Sequence, residues 1–286
     1  MLIQRLAIIG VGLIGGSLAR ALKQVGACRE VVGCGRNKAN LQQAIDLGVI
    51  DYYDTDPARA VKDADMVVVA VPLGSMADMF IAIRETLSPE AIITDVGSAK
   101  ACVVAEARQH LGRHFSRFVP SHPIAGREKS GVGASVASLF ENHRVILTPL
   151  PETDLAAYEK VTTLWAQTGA EVEDMSVEHH DEVLAATSHL PHLLAYSLVG
   201  TLAKMEDRVE IFRFAAGGFR DFTRIAKADP RMWHDICFAN REAILQALEQ
   251  FNTDLSQLRE AISLGNSQTI ENIFIRAKAA RDKFDG

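Results

Sequence analysis

Short β-branched runs recur through the first half of the chain and predict strands at Arg5–Ile9, Val31–Cys34, Met66–Val71, Ala91–Asp95, Phe118–Ser121, Arg144–Thr148 and Glu171–Met175. Between them, apolar residues spaced three and four apart predict helices at Ile14–Val25, Lys38–Leu47 and Ser75–Leu87. Strands alternating with helices build βαβ units, and hence an α/β domain whose mostly parallel sheet carries helices on both faces. From Ser176 onward the pattern changes. β-branched runs almost disappear, and amphipathic stretches follow at His180–Lys204, Trp233–Leu264 and Ser267–Lys283. Two domains are therefore expected, an α/β domain over residues 1–175 and an all-helical one over 176–286. Pro191 falls inside the first long stretch. It either kinks that helix and swings its histidines toward a cleft, or separates two shorter helices.

Composition narrows the function. The 286 residues are 48% apolar and 23% charged, as in a soluble globular protein. A net charge of −6 argues against a nucleic-acid partner, because little would release counterions from a phosphate backbone. No apolar run approaches the roughly 18 residues of a membrane span. Met1 leads almost directly into Leu6-Ala7-Ile8-Ile9-Gly10, which reads as strand and turn rather than as a targeting peptide. Cys28, Cys34, Cys102 and Cys237 form no C-x-x-C pair and read as small buried or half-buried residues in a reducing compartment, so a cytoplasmic location is expected.

Gly10-Val11-Gly12-Leu13-Ile14-Gly15-Gly16-Ser17 follows the first strand and opens the first helix. In that context G-x-G-x-x-G has a physical meaning. Gly10 permits the tight turn, Gly12 lets the backbone approach a pyrophosphate, and Gly15 lets helix and strand lie close. The first domain is thus expected to be a Rossmann-like, dinucleotide-binding one. After the second strand the sequence reads Gly33-Cys34-Gly35-Arg36-Asn37-Lys38, without the acid that bonds an NAD ribose and with two cations where a 2′-phosphate would lie. NADP is expected as the preferred cofactor, with NAD possible. The cofactor-binding candidates are Gly10, Gly12, Leu13, Ile14, Gly15, Gly35, Arg36 and Lys38.

Three further segments combine polar density with Gly or Pro: Asp95-Val96-Gly97-Ser98-Ala99-Lys100, Ser121–Gly131, and Gly217–Ala226 followed by Asp229-Pro230-Arg231-Met232-Trp233. The first two end strands at the carboxyl edge of the sheet, where open α/β folds bind ligands. Singly, each has a plainer reading. Ser98 could cap the following helix, and Arg220, Asp221 and Arg224 could form a surface ion network. The His179-His180 and His189-x-x-His192 clusters invite zinc, but no cysteine or carboxylate arrangement completes a familiar ligand set, so no metal is expected.

Together, Gly-x-Gly-Leu-Ile-Gly-Gly-Ser (10–17), Asp-Val-Gly-Ser-x-Lys (95–100), His-Pro-Ile-Ala-Gly-x-Glu-x-Ser-Gly (122–131), Ser-His-Leu-Pro-His (188–192), Gly-Phe-Arg-Asp-x-Thr-Arg-Ile-Ala (218–226) and Asp-Pro-x-Met-Trp (229–233) resemble the prephenate/arogenate dehydrogenases, in family order across nearly the whole chain. The resemblance implies oxidative decarboxylation of a cyclohexadienyl acid with NAD(P)+ in tyrosine biosynthesis. It implies His122 as proton acceptor and Ser98 as the residue bonding the same hydroxyl or His122. Arg224 would bind the ring carboxylate, Glu128 and Asp221 would be acidic partners near it, and His189, His192 and Trp233 would line the side-chain end. Whether the substrate is prephenate, arogenate or both stays open.

Two rival readings remain: a β-hydroxyacid type of dehydrogenase, which would rely on a lysine such as Lys204 in the interdomain helix, and a non-catalytic dinucleotide sensor. Apolar stretches at Ile236–Leu248 and Leu255–Leu264 exceed what one small helical domain needs, and the family resemblance points the same way, to a homodimer through the helical domain.

Overall fold

Along β1 (Ile3–Ile9), Leu6 and Ile8 point into one apolar layer while Ala7 and Ile9 point into the other, so the strand is buried on both faces. The computed structural model describes residues 1–127, 129–205 and 208–284. After β1 come α1 (Leu13–Gln24), β2 (Cys28–Cys34), α2 (Lys38–Asp46), β3 (Tyr52–Asp54), α3 (Pro57–Ala60), β4 (Met66–Val69), α4 (Met76–Ile83), β5 (Ile92–Asp95), α5 (Lys100–His110) and β6 (Phe118–Val119). The six strands form one all-parallel sheet in the order β3-β2-β1-β4-β5-β6. That order reverses direction between β1 and β4, which opens a crevice at their carboxyl ends.

The expected strand Phe118–Ser121 divides at Pro120. Proline has no N–H to continue a ladder, and the chain leaves the first sheet there. A second sheet follows, built from β7 (Ser121–Pro123), β8 (Arg144–Leu147) and, after α6 (Leu155–Ala166), β9 (Glu171–Asp174). β7 runs antiparallel to β8, and β8 parallel to β9. The short edge strand β3 has no counterpart in the sequence reading.

The helical part continues with α7 (Val177–Leu184), a π-helical turn (Ala185–His189), α8 (Leu190–Leu202), α9 (Arg208–Arg213), α10 (Gly217–Thr223) and α11 (Pro230–Ala239). Pro191 thus sits in the first turn of α8, where a missing N–H costs least. The wide π turn precedes it without ending the helix. Met1–Asn240 forms one compact unit and Arg241–Gly286 a second. The second unit pairs α12 (Arg241–Ser263) with α13 (Ser267–Phe284). Gly265, at φ +65°, closes α12 as its N–H and that of Asn266 bond back to Ile262 and Ala261.

One buried ion pair ties the end of β5 to α5 and β7. Asp95 and Lys100 both have side chains of 0% exposure and meet at 2.5 Å. Asp95 also accepts the N–H of Gly97 (2.7 Å) and of Ser121 (3.2 Å), while the Lys100 ammonium donates to the Ser121 carbonyl at 2.7 Å. The Ser121 hydroxyl bonds Asp95, and Trp165 Nε1–H donates to that hydroxyl at 3.1 Å. Removing one partner would leave a buried charge uncompensated. Lys100→Met should therefore cost about 3–5 kcal/mol, read as a lower urea midpoint at unchanged slope.

Candidate active site

The glycine turn has the geometry its spacing implies. Gly10 has φ +100°, and a Cβ there would meet the Ala70 carbonyl oxygen at 2.1 Å. A Cβ on Gly15 would lie 2.4 Å from the Gly10 carbonyl oxygen, whereas one on Gly12 would meet nothing within 4 Å. No side chain caps α1, and its first internal bond runs from the Gly16 N–H to Gly12. The N–H groups of Leu13 and Ile14, in the first turn of α1, therefore have no intrahelical partner. These features fit a dinucleotide pyrophosphate. Asn40 holds the turn by donating to the Val11 carbonyl at 2.8 Å. Gly35 packs near Leu41 at the end of β2, and Asn37 caps α2 between Arg36 and Lys38. Both cations are exposed and bond no described residue.

At the carboxyl edge, β7 carries His122. Its Nδ1 lies 2.9 Å from His180 Nε2, and His180 Nδ1 lies 2.8 Å from Asp181 Oδ1. Asp181 does more. Its two oxygens accept the N–H groups of Lys100 (2.8 Å) and Ala101 (2.9 Å), capping α5 from another element. Ser98 does not take the capping role open to it: Ala99 occupies the N-cap position with no side-chain bond, and Asp181 accepts the N–H groups of Lys100 and Ala101. Ser98 instead lies half-buried in the loop before α5, its hydroxyl unbonded among the described residues.

The Asn240 amide donates to the Asp181 carbonyl at 2.7 Å and contacts His189 Nδ1 at 3.2 Å. His189 meets Trp233 edge-on with centroids 6.0 Å apart, and His192 stacks on the same indole at 3.7 Å. His189 Nε2 and Trp233 Nε1 are buried without hydrogen-bond partners. Arg224 opens a short 3-10 turn after α10, close enough to influence His192 electrostatically. Asp229 caps α11, with Pro230 in its first turn, and so presents Trp233. The fold thus gathers His122, His189, His192 and Trp233, with the Ser98 backbone beside His189 and Arg224 within electrostatic reach of His192. Asp221 is exposed on α10 and forms no ion pair with a described residue; Glu128 lies outside the described residues.

Burial, followed by the charges of Lys100, His180 and His189, holds the His122 pKa well below the usual histidine value. Burial also lowers His180, against the opposing bond to Asp181, and brings His189 to about 4. For Asp181 burial acts upward, but bonds from His180 and two backbone N–H groups outweigh it and lower the pKa. The histidines are therefore neutral and Asp181 ionised near pH 7. In the sequence alone His179-His180 reads as an incomplete metal pair, and Asp181 and Asn240 do not stand out. The signal available was an acid directly after a histidine pair at a helix start. Among the described residues no group of three or more His, Cys, Asp or Glu is placed to hold a metal ion, and no helix is long and apolar enough to cross a membrane.

Sheet order, open glycine turn and a neutral histidine at the carboxyl edge define a dinucleotide-dependent oxidoreductase of Rossmann type. The chain matches the family models for the prephenate dehydrogenase nucleotide-binding domain over residues 18–174 and the prephenate dehydrogenase dimerization domain over residues 176–276. A cyclohexadienyl dehydrogenase of Zymomonas mobilis is 40% identical, covering 97% of this chain and 95% of that protein. The crystal structure of a prephenate dehydrogenase from A. aeolicus, in complex with hydroxyphenyl propionate and NAD+, superposes with a TM-score of 0.92 at 38% identity and covers 98% of each chain. A Synechocystis arogenate dehydrogenase gives a TM-score of 0.80 at 26% identity, covering 98% of this chain and all of that one. The chain belongs to the prephenate dehydrogenase family and is an NAD(P)-dependent dehydrogenase.

The glycines separate fold from binding. Gly12→Ala should leave stability within about 0.5 kcal/mol yet weaken dinucleotide binding in a fluorescence titration. Gly15→Ala should lower the melting temperature, because its Cβ would meet the backbone.

Proposed function

We propose that the protein catalyses the oxidative decarboxylation of prephenate, arogenate or both, in tyrosine biosynthesis. The observation that carries this reading is His122, a neutral imidazole with one ring nitrogen unbonded by any described residue, set at the carboxyl edge of a dinucleotide-binding sheet. A nicotinamide cofactor held at the Gly10–Gly15 turn would supply the hydride acceptor for the ring carbon that bears the hydroxyl. His122 takes the hydroxyl proton as that oxygen becomes a carbonyl. When the ring carboxylate leaves as CO₂, its electron pair aromatises the ring, and the resulting phenolate can recover the proton from His122. Ser98 orients the hydroxyl. Arg224 grips the ring carboxylate through its planar fork, with Glu128 and Asp221 as acidic partners. His189, His192 and Trp233 line the side-chain end, where two buried donors lack partners.

For the cofactor we assign Gly10, Gly12, Leu13, Ile14 and Gly15 to the pyrophosphate and Gly35, Arg36 and Lys38 to the 2′-phosphate, with NADP preferred over NAD. A 2′-phosphate would find two exposed cations there and no adjoining acid in the loop. We assign residues 1–175 to cofactor binding and 176–286 to substrate binding and homodimer formation in the cytoplasm. Leu245, Leu255, Ile262, Phe274 and Ile275 stand exposed on α12 and α13, as a subunit-pairing surface requires. The lysine needed by a β-hydroxyacid mechanism finds no support, because Lys204 is exposed beyond the end of α8.

Initial rates at 340 nm with prephenate or arogenate, each with NADP or NAD, test the reading. Turnover on at least one pairing is expected, and its absence with folded protein would refute the proposed activity. His122→Asn should lower kcat by about 100-fold or more with little change in KM, whereas Arg224→Ala should raise KM by about 10- to 100-fold. Arg36→Asp should reverse the preference for NADP; an unchanged ratio of kcat/KM values would remove Arg36 from the 2′-phosphate site.

A further inference from the structure

His180 and Asp181 have no part in the reaction as assigned, yet they occupy the only hydrogen-bonded side of the His122 ring that the described residues provide. We infer that Asp181, acting through His180, is a positioning group that fixes the tautomer of His122, so that Nε2 is the bare nitrogen presented to the substrate hydroxyl. The inference rests on the proposed oxidation for its purpose but not for its geometry.

Asp181 is the one group in the line whose hydrogen-bonding role is unambiguous. A carboxylate only accepts hydrogen bonds. Asp181 is anchored by the N–H groups of Lys100 and Ala101, so its Oδ1, 2.8 Å from His180 Nδ1, requires a proton on that nitrogen. Neutral His180 then has a bare Nε2. His122 Nδ1, 2.9 Å away, must supply the proton of the next bond, which leaves His122 Nε2 with a lone pair. Each step follows from the previous one, and a single carboxylate sets the direction of the whole line.

The surroundings do not compete with this order. The Lys100 ammonium is taken up by Asp95 and the Ser121 carbonyl. Asn240 donates to the Asp181 carbonyl, and its second N–H is placed to bond His189 Nδ1, which keeps His189 out of the line. Without Asp181, His180 could rotate or change tautomer, and His122 would spend part of its time with the proton on Nε2. In that form it could donate to the substrate oxygen but not accept from it.

Asp181 also caps α5, so loss of stability in a variant would not distinguish positioning from packing. The ring protonation pattern does. Long-range proton–nitrogen correlation spectra of the ¹⁵N-histidine-labelled full chain, with His122 assigned by its absence in His122→Asn, should show the wild-type proton on Nδ1. His180→Leu should abolish that single pattern and lower kcat by about 10- to 100-fold with KM for the cyclohexadienyl acid within about twofold. His180→Gln, whose amide can accept at one end and donate at the other, should recover most of the rate. Asp181→Asn provides a second perturbation if His180→Leu does not fold. A wild-type proton on Nε2, or a folded His180→Leu with kcat within twofold of wild type, overturns the inference while leaving the oxidation standing. If wild-type protein turns over none of the four pairings, the oxidation fails, and the spectra still decide the tautomer.

Discussion

A buried carboxylate is costly, and Asp181 survives as one because three donors converge on it. Two are backbone N–H groups at the start of α5, where the helix needs acceptors and favours negative charge. The third is the His180 ring. The same contact therefore satisfies the helix terminus, joins α7 to the sheet region and sets the geometry of the histidine line. Asp95 and Lys100 do comparable work one layer deeper, tying the end of β5 to both polar groups of the Ser121 backbone, the residue before His122. The carboxyl edge around His122 thus stands on two buried carboxylates, each held by donors of its own.

What was legible in the sequence was local. The glycine turn requires close backbone approach at fixed offsets, and Gly10 and Gly15 meet the backbone as those offsets demand. The buried strands announced themselves because both faces of the sheet are apolar. What was not legible depends on distant partners. Pro120 moves the chain from one sheet to another, but a proline at a strand end does not say which sheet comes next. The π turn at Ala185–His189 leaves no periodic mark over so few residues. Asp181 reads as one more acid on an amphipathic helix until α5, some 80 positions earlier, is folded beneath it. Ser98 looked like a cap for the same reason: the competing acceptor was invisible.

The indole side of the site follows a different logic. His189 Nε2 and Trp233 Nε1 are buried donors without partners, in rings 6.0 Å apart. Each unsatisfied donor costs about 1–3 kcal/mol. A ligand acceptor at this edge would return that energy on binding. Trp233 also carries His192 on its face, which fixes the position of the second histidine of Ser188–His192 without a bond to its Nε2. The Ser-His-Leu-Pro-His segment thus splits its histidines between one buried edge and one stacked face of a single indole.

The spacing between Asp181 and His122 has its own consequence. A carboxylate bonded directly to an imidazole orients it but also favours its charged form, raising the pKa. With His180 interposed, orientation is passed along by hydrogen bonds, while the Coulomb attraction falls with the added separation. Burial and the nearby Lys100 ammonium can then keep His122 neutral despite the acid two rings away. Such a line can pass on orientation while His122 stays neutral over a wider range of pH than an imidazole bonded directly to a carboxylate. An acceptor of a hydroxyl proton needs both properties, and a single imidazole touching a carboxylate would have to trade one against the other.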